Sequence, residues 1–149
     1  MTELTWAEFA DAAPDLAAFG ARLLTASPAY LATVRSDGAP RVHPVTPIIG
    51  PAGLYLFMEP TSPKGRDLHE RGWFAMHNGV PDNSGTGGEF RLTGTGRSDD
   101  DPAVRATATA ASAYPPADRY ILFELLVSEA FANAYGDVEL PTPSRWKAQ

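Results

Sequence analysis

A short buried strand followed at once by a hydroxyl group and two cations is the part of this sequence best suited to chemistry. Residues 54–58 are all apolar or aromatic, which predicts a short buried strand. Ser62, Lys64 and Arg66 follow this strand and lie within five positions of the sequence, 62–66. A helix start at this point would add free backbone N–H groups, and together these donors and charges favour a bound phosphate. The alternative is an ordinary solvated turn that leads into a helix.

Composition excludes several classes of protein. The 149 residues carry a net charge of −6, with a pI of about 4.9 and no cysteine. The acidic balance argues against a nucleic-acid partner, and the lack of cysteine excludes disulfides, thiolate metal sites and a cysteine nucleophile. No apolar run has membrane-spanning length and no signal peptide is recognisable, so we expect no membrane partner and a cytoplasmic location.

The order of predicted elements indicates a single domain over residues 1–149 in which short strands dominate. A capping box from Thr5 to Glu8 and a proline at position 14 predict two N-terminal helices, and the acidic stretch 99–101 caps a third over 99–113. Predicted strands cover 30–35, 41–49, 54–58, 73–77, 89–97 and 120–127, with one or two more within 130–149. Strands at hairpin spacing favour a barrel over a parallel sheet.

Residues 78–88 separate two of these strands and are rich in Gly, Asn, Asp and Ser. Val80 is their one apolar side chain. The composition predicts a mobile loop that could gate a neighbouring site or serve only as a hairpin tip.

A family resemblance rests on three segments in a fixed order. The segment 32–45 holds a strand, an Asp-Gly turn at Asp37 and Gly38, and a return strand. The apolar strand 54–58 and the Ser62-Pro63-Lys64 motif follow, and the glycine-containing strand 89–96 comes later. This succession resembles the pyridoxamine 5′-phosphate oxidase-like, flavin-binding split-barrel family, most closely over residues 30–96.

The resemblance implies a mainly β (α+β) fold, a six-stranded antiparallel split β-barrel with flanking helices. It also implies a homodimer with two FMN sites in clefts between subunits. The implied cofactor contacts come from the return strand, the apolar strand, the phosphate motif and a later strand that reaches the partner's flavin. In this chain those positions hold His43, Val45, Thr46, Phe57, Met58, Ser62, Lys64 and Glu89.

This chain departs from the family pattern at several positions. His43 and Pro63 stand where the family often has phosphate-binding arginines, so Arg41, Arg66 or a partner-chain arginine would have to compensate. Glu89 replaces a glutamine, and a carboxylate there would disfavour the anionic reduced flavin. The C-terminal substrate signature of true pyridoxamine phosphate oxidases is missing, so vitamin B6 oxidation is not expected.

Other candidate groups have simpler interpretations. Trp146 could stack on the flavin ring or plug the end of the barrel. The spacing of His43, His69 and His77 matches no metal-ligand pattern, so we expect no metal. No serine hydrolase motif is present.

Three functional classes follow. The first is an FMN-dependent oxidoreductase that moves hydride to or from a small molecule; it needs no acid–base side chain, so no catalytic residue is assigned. The second is a reductase that uses a deazaflavin cofactor on the same fold. The third is a non-catalytic flavin- or haem-binding protein.

Overall fold

The fold was analysed in a computed structural model that describes residues 2–136 and 138–149. Over these residues four helices and eight strands follow one another. They are α1 (Trp6–Ala12), α2 (Pro14–Ala26), β1 (Ala29–Val34), β2 (Pro40–Val45), β3 (Ile48–Ile49), β4 (Leu54–Met58), α3 (Pro63–Glu70), β5 (Trp73–His77), β6 (Glu89–Ser98), α4 (Pro102–Ala111), β7 (Ile121–Asn133) and β8 (Arg145–Lys147).

The strands form one curled antiparallel sheet with the helices at its flanks. Its order is β2-β1-β5-β6-β7-β4-β3, and β8 pairs with β7. The six longer strands are those that the sequence predicts, and the antiparallel split barrel with flanking helices is confirmed. The sheet has eight strands rather than six because β3 and β8, of two and three residues, add to them.

The predicted return strand 41–49 is broken in two. β2 ends at Val45, and Ile48 and Ile49 pair instead with Tyr55 and Leu54 of β4. The break falls at Pro47, which has no N–H to donate to a ladder and therefore ends the pairing with β1. The prediction of one continuous strand was wrong, and the break carries the chain from one edge of the sheet to the other.

In the C-terminal third, β8 confirms the prediction of a short strand within 130–149, but the end of β7 differs from the prediction. β7 runs through thirteen residues to Asn133, so residues 130–133 belong to the central strand and not to separate shorter ones. Ala130 and Ala132 are buried while Phe131 and Asn133 are half-buried, which continues the alternation of a strand. Alanine is a weak strand former, so this alternation is easy to miss in the sequence.

Helix starts follow the local signals. Thr5 caps α1 by accepting a hydrogen bond from the Glu8 N–H, and Asp101 caps α4 by accepting one from the Ala103 N–H. Proline begins α2, α3 and α4, where its missing N–H removes no helical hydrogen bond. The predicted caps at Thr5 and at the acidic stretch 99–101 are therefore confirmed.

Strand β4 is buried on both faces, which explains its continuous apolar run. Leu56 and Met58 belong to the main core that α1 and α2 cover, whereas Tyr55 and Phe57 pack with Ala108 of α4 in a smaller cluster. This double burial holds β4 rigidly, and with it the start of α3 a few residues later.

The loop 78–88 is held firmly at its base. Asn78 is 2 % exposed; its side-chain amide donates to the Gly88 carbonyl oxygen, and its side-chain oxygen accepts from the Phe90 N–H at 2.8 Å. Within the loop, Asp82 accepts hydrogen bonds from the Ser84 and Thr86 N–H groups. Val80 is 45 % exposed, so Asn78 and not Val80 is the anchor. Gating by this loop stays a prediction.

None of the helices within residues 2–136 and 138–149 combines the length and the apolar character that crossing a bilayer would require.

Candidate functional site

Ser62 caps the start of α3, and its own hydroxyl hydrogen is available for a hydrogen bond to a ligand. Its oxygen accepts hydrogen bonds from the Gly65 N–H at 3.4 Å and from the Lys64 Nζ at 3.2 Å. Since Pro63 has no N–H and that of Gly65 is occupied, the backbone donor left in this turn is that of Lys64. The helix start therefore offers fewer free backbone donors than the sequence suggests.

Lys64 is a half-buried cation at this helix start. Burial lowers the pKa of its ammonium group, because taking a charge out of water disfavours the charged form. Among the ion pairs of residues 2–136 and 138–149, none involves Lys64, and its one hydrogen-bond partner is the neutral Ser62 hydroxyl. An anion bound here would replace the interactions with water that the ammonium group has lost on burial.

Two adjoining depressions, which share Phe57, Met58, Lys64 and Tyr114 in their lining, lie between Lys64 and the end of β2 and are treated together as one cleft. Its larger part, about 500 Å³, is lined by Phe57, Met58, Ser62 and Lys64 among others, and a smaller part of about 180 Å³ reaches Val45 and Thr46. We call it the Lys64 cleft. Six of the predicted cofactor residues thus line one cleft, within the size range of small-molecule sites: Val45, Thr46, Phe57, Met58, Ser62 and Lys64.

Tyr114 closes the other side of the Lys64 cleft, and sequence analysis did not identify it. It lines both parts of the cleft and is half-buried. Burial raises the pKa of its phenol, with a smaller contribution from Tyr120. The Ser112 hydroxyl, which donates to the Tyr114 carbonyl and accepts from its N–H, fixes the backbone here. The Tyr-Pro-Pro sequence that follows α4 indicates a rigid turn, and it was the signal in the sequence that could have identified Tyr114.

A buried carboxylate, also missed by sequence analysis, fixes the orientation of α3. Asp67 is 3 % exposed and accepts hydrogen bonds from the Thr33 hydroxyl at 2.7 Å, from Arg41 at 2.8 Å and from Arg71 at 3.0 Å. Burial by itself would raise the pKa of Asp67, but the hydrogen bonds from Thr33, Arg41 and Arg71 and the charge of Arg41 outweigh it and lower that pKa. The network ties α3 to β1 and β2.

This network decides which arginine could assist Lys64. Arg41 is engaged by Asp67, so it is not free to compensate for the missing family arginines. Arg66 is exposed and lines a separate depression with His69 and Ile121, outside the Lys64 cleft. Within one protomer, Lys64 is the cation that lines this cleft.

His43 lies near the cleft but does not line it. It is an exposed residue of β2, paired in register with Leu31 and two positions before Val45. Its contact with a phosphate stays a prediction.

Glu89 lies in a different place, at the start of β6. One of its carboxylate oxygens is 2.8 Å from the His77 Nε2, and the other accepts a hydrogen bond from the Tyr135 hydroxyl at 3.1 Å. The bond with His77 lowers the pKa of Glu89 most strongly, against the opposing effect of burial. Within one protomer the carboxylate does not line the Lys64 cleft, and both of its oxygens are engaged by His77 and Tyr135.

Trp146 is also distant from that cleft. It pairs with Ala130 across β7 and β8, and its ring centroid lies 4.9 Å from that of Phe9, which is fully buried. Its half-buried ring therefore packs at the end of the core. This is the arrangement expected if Trp146 plugs the end of the barrel. A contact with a flavin stays a prediction.

Over the described residues, no group of three or more His, Asp or Glu side chains is arranged to hold a metal ion. His43 and His69 are exposed, and both ring nitrogens of His77 have protein partners.

No protein-family model and no curated protein matches this sequence. Solved structures do match its fold. A haem-binding protein from Mycobacterium smegmatis aligns with a TM-score of 0.63 and 18 % identity over 93 % of this chain; the chain spans 57 % of that protein's length. A proposed pyridoxamine 5′-phosphate oxidase from Lactobacillus delbrueckii aligns with a TM-score of 0.58 and 21 % identity, over 75 % of this chain and 89 % of the other.

A NimC/NimA family protein from Clostridium acetobutylicum aligns with a TM-score of 0.60 and 22 % identity, over 75 % of this chain and 82 % of the other. These structures share the split-barrel fold of the pyridoxamine 5′-phosphate oxidase-like proteins. The chain has this fold, as its sequence resemblance implies. At such identities the likeness defines the fold, and the site must be argued from the chain's own residues.

Proposed function

We propose that the Lys64 cleft binds FMN and that the protein is an FMN-dependent oxidoreductase acting on a small molecule. The observation that carries the proposal is Lys64 itself, a half-buried cation beside the Ser62 hydroxyl at the head of a cleft walled by Phe57 and Met58. A phosphate group would accept hydrogen bonds from both side chains. The side chains of Phe57 and Met58 are buried in the two hydrophobic clusters, so it is the backbone of this strand that would border the ring system of the cofactor.

The residues of the cleft fit this cofactor. Lys64, Ser62 and the Lys64 N–H would hold the phosphate group. Val45, Phe57 and Met58 would exclude water from one side of the ring, and Thr46 and Tyr114 offer hydroxyl groups at the rim. When bound, FMN supplies the hydride chemistry, so the protein's task is to bind, orient and shield.

We further propose that the protein acts as a homodimer through the exposed face of the sheet. Val42, Ala32 and Ala75 are paired side by side across β2, β1 and β5, and Val42 is 66 % exposed. Tyr30 and Trp73 extend the same face and are about half exposed. Such a patch favours burial against a partner.

A second copy is the occupant we propose for this face. Pro44 belongs to the face by its pairing with Tyr30, and it also lines the Lys64 cleft. A partner seated on the face would therefore border the cleft. Glu89 of a second copy could reach a cofactor there, which Glu89 of the same protomer does not.

Two alternatives use the same fold. A deazaflavin cofactor also carries phosphate and would use the same anchor, with a longer tail. Haem is the ligand named for the Mycobacterium smegmatis neighbour. A histidine axial ligand for haem would have to come from the exposed His43 or His69, or from His77 after loss of its bonds to Glu89 and Asn78.

The first experiment compares the affinity of FMN with that of riboflavin, which lacks the phosphate. Lys64→Ala should weaken FMN binding by about 1.5–3 kcal/mol, ten- to a hundredfold, and leave riboflavin binding almost unchanged. Arg66→Ala is the matched control, because this cation on the same helix lies outside the cleft. Equal losses for both ligands would mean that Lys64 acts through structure, and the phosphate role would be wrong.

The second experiment identifies the ligand of the purified protein by its absorption spectrum and mass. A flavin spectrum with the mass of FMN supports the proposal, whereas a deazaflavin or a haem spectrum favours the respective alternative. Assays with reduced nicotinamide and with reduced deazaflavin then separate the two reductase classes. Tight FMN binding without turnover would indicate a flavin-binding protein and not an enzyme.

A further inference from the structure

A second cleft lies on the sheet, on the part formed by β6, β7 and β8. It has a volume of about 280 Å³ and is bordered by Arg91, Glu129, Phe131, Arg145 and Lys147 among others. We call it the Phe131 cleft. It shares no residue with the Lys64 cleft, and it gathers three cations and one carboxylate in a protein whose net charge is −6.

Strand pairing builds this cleft. Arg91 of β6 lies directly opposite Phe131 of β7, and Phe131 lies directly opposite Arg145 of β8. Residues opposite one another on antiparallel strands point to the same face, so two arginines flank one aromatic ring. Their guanidinium carbons lie 5.1 Å and 4.6 Å from the centroid of that ring.

The charges of this arrangement are not balanced within the protomer. Lys147 and Glu129 are 3.6 Å apart and neutralise each other. Over residues 2–136 and 138–149, neither Arg91 nor Arg145 belongs to an ion pair, and what holds each is the face of Phe131. Cation–π contacts at exposed sites are weak, so the two guanidinium groups keep most of their capacity to bind anions.

We propose that the Phe131 cleft binds a small molecule with two linked oxyanion groups, each received by one guanidinium. Arginine matches phosphate and carboxylate oxygens in a planar, two-pronged geometry, and two arginines on one ring match two such groups. The ligand class is therefore a diphosphate or a dicarboxylate. This site goes beyond the proposed cofactor site, with which it shares no residue in one protomer. It lies further along the sheet face on which we propose a second copy, in the row of paired residues that runs from Tyr30 through His77 to Arg91.

The arrangement has a matched internal control. Arg22 lies 5.1 Å from the centroid of Phe19, the same contact at another place. Its surroundings include the carboxylates of Asp15 and Glu139, and no second arginine borders that depression. An arginine stacked on phenylalanine without a second cation should not bind a dianion.

The test titrates the full-length protein with pyrophosphate and with succinate and follows the side-chain Nε–H signals of the arginines by NMR. The signals of Arg91 and Arg145 should shift together and saturate, while that of Arg22 stays in place. Stronger binding of pyrophosphate identifies a phosphate ligand, and stronger binding of succinate a dicarboxylate. The same shifts should persist in Lys64→Ala, which separates this site from the cofactor phosphate site.

Variants complete the test. Arg91→Gln and Arg145→Gln should each weaken binding of the preferred probe at least tenfold, and Arg22→Gln should leave it unchanged. Thermal unfolding checks that the variants are folded. If a variant does not fold, the NMR titration of the unmodified protein still tests the proposal. Absence of saturable shifts at Arg91 and Arg145, or an equal loss in Arg22→Gln, would overturn the proposal.

Discussion

The Nε2 of His77 lies 2.8 Å from a carboxylate oxygen of Glu89, while the Nδ1 of the same ring lies 2.7 Å from the carbonyl oxygen of Asn78. These two contacts join the end of β5 to the start of β6 and close the base of the loop 78–88.

Replacing the acid of this pair should change how stability depends on pH. The pKa of Glu89 is lowered in the folded state, mainly by the His77 hydrogen bond. Its contribution to the free energy of unfolding is therefore complete above about pH 4.3, the ordinary value for glutamate, and is lost as pH falls through the lower folded-state value. Glu89→Gln should lower the free energy of unfolding by about 1 kcal/mol at pH 7 and by less at pH 3. The effect at pH 7 is small because both side chains are partly exposed.

Urea unfolding at several pH values measures this effect. Glu139→Gln, a change at an exposed glutamate of the C-terminal segment, should retain the wild-type pH profile. If the free energy of unfolding of Glu89→Gln changed with pH in parallel with that of the wild type between pH 3 and 7, the contact between Glu89 and His77 would not stabilise the fold.

Removal of the buried charge of Asp67 should be far more costly. Asp67→Asn leaves Arg41 and Arg71 without their shared carboxylate, and breaking a buried ion pair from one side costs about 3–5 kcal/mol. Denaturant unfolding at pH 7 measures the loss. Glu59→Gln, which breaks an exposed pair with Arg119, should leave the unfolding midpoint near that of the wild type. Similar midpoints for both variants would contradict a stabilising role for the network.

Gly94 marks a close approach between two strands, at the register shift of β6 against β7. A Cβ atom there would lie 1.8 Å from the backbone oxygen of Leu126, so the strands would have to separate. Gly94→Ala should lower the free energy of unfolding by at least about 2 kcal/mol. A Cβ atom at Gly50 would lie 3.4 Å from its nearest neighbour, the Cβ of Ala111. Gly50→Ala should therefore change the free energy of unfolding by less than about 0.5 kcal/mol. Equal effects of the two substitutions would show that the strands can adjust.

Features that depend on a few consecutive residues could be predicted from the sequence. The cap at Thr5, the turn at Gly38 with its positive φ and the start of α3 at Ser62 each have a local cause. The apolar run of β4 likewise follows from burial on both faces. Because Ser62 and Lys64 follow this strand directly, the anchor of the candidate site was recognisable as well.

Features that depend on distant residues could not be predicted. Asp67 receives its bond from Thr33, which lies 34 positions earlier, and Arg91 meets Arg145 only because both pair with β7. His77 and Glu89 are brought together by the same kind of pairing across a loop. Register between strands fixes these contacts, and a single sequence contains little information about register.

The proposed dimer gives a prediction about the exposed sheet face. At micromolar concentration the protein should have the mass of two chains by light scattering. Val42→Glu should shift it to the mass of one, because a carboxylate would be buried against the partner within the apolar patch. The fold should persist, since Val42 is exposed on the edge strand β2. Val80→Glu, at a valine of the loop 78–88 that is also exposed but lies outside the patch, should remain dimeric. A stable monomer of the unmodified protein would refute the dimer and, with it, any contribution of Glu89 to a partner's cofactor.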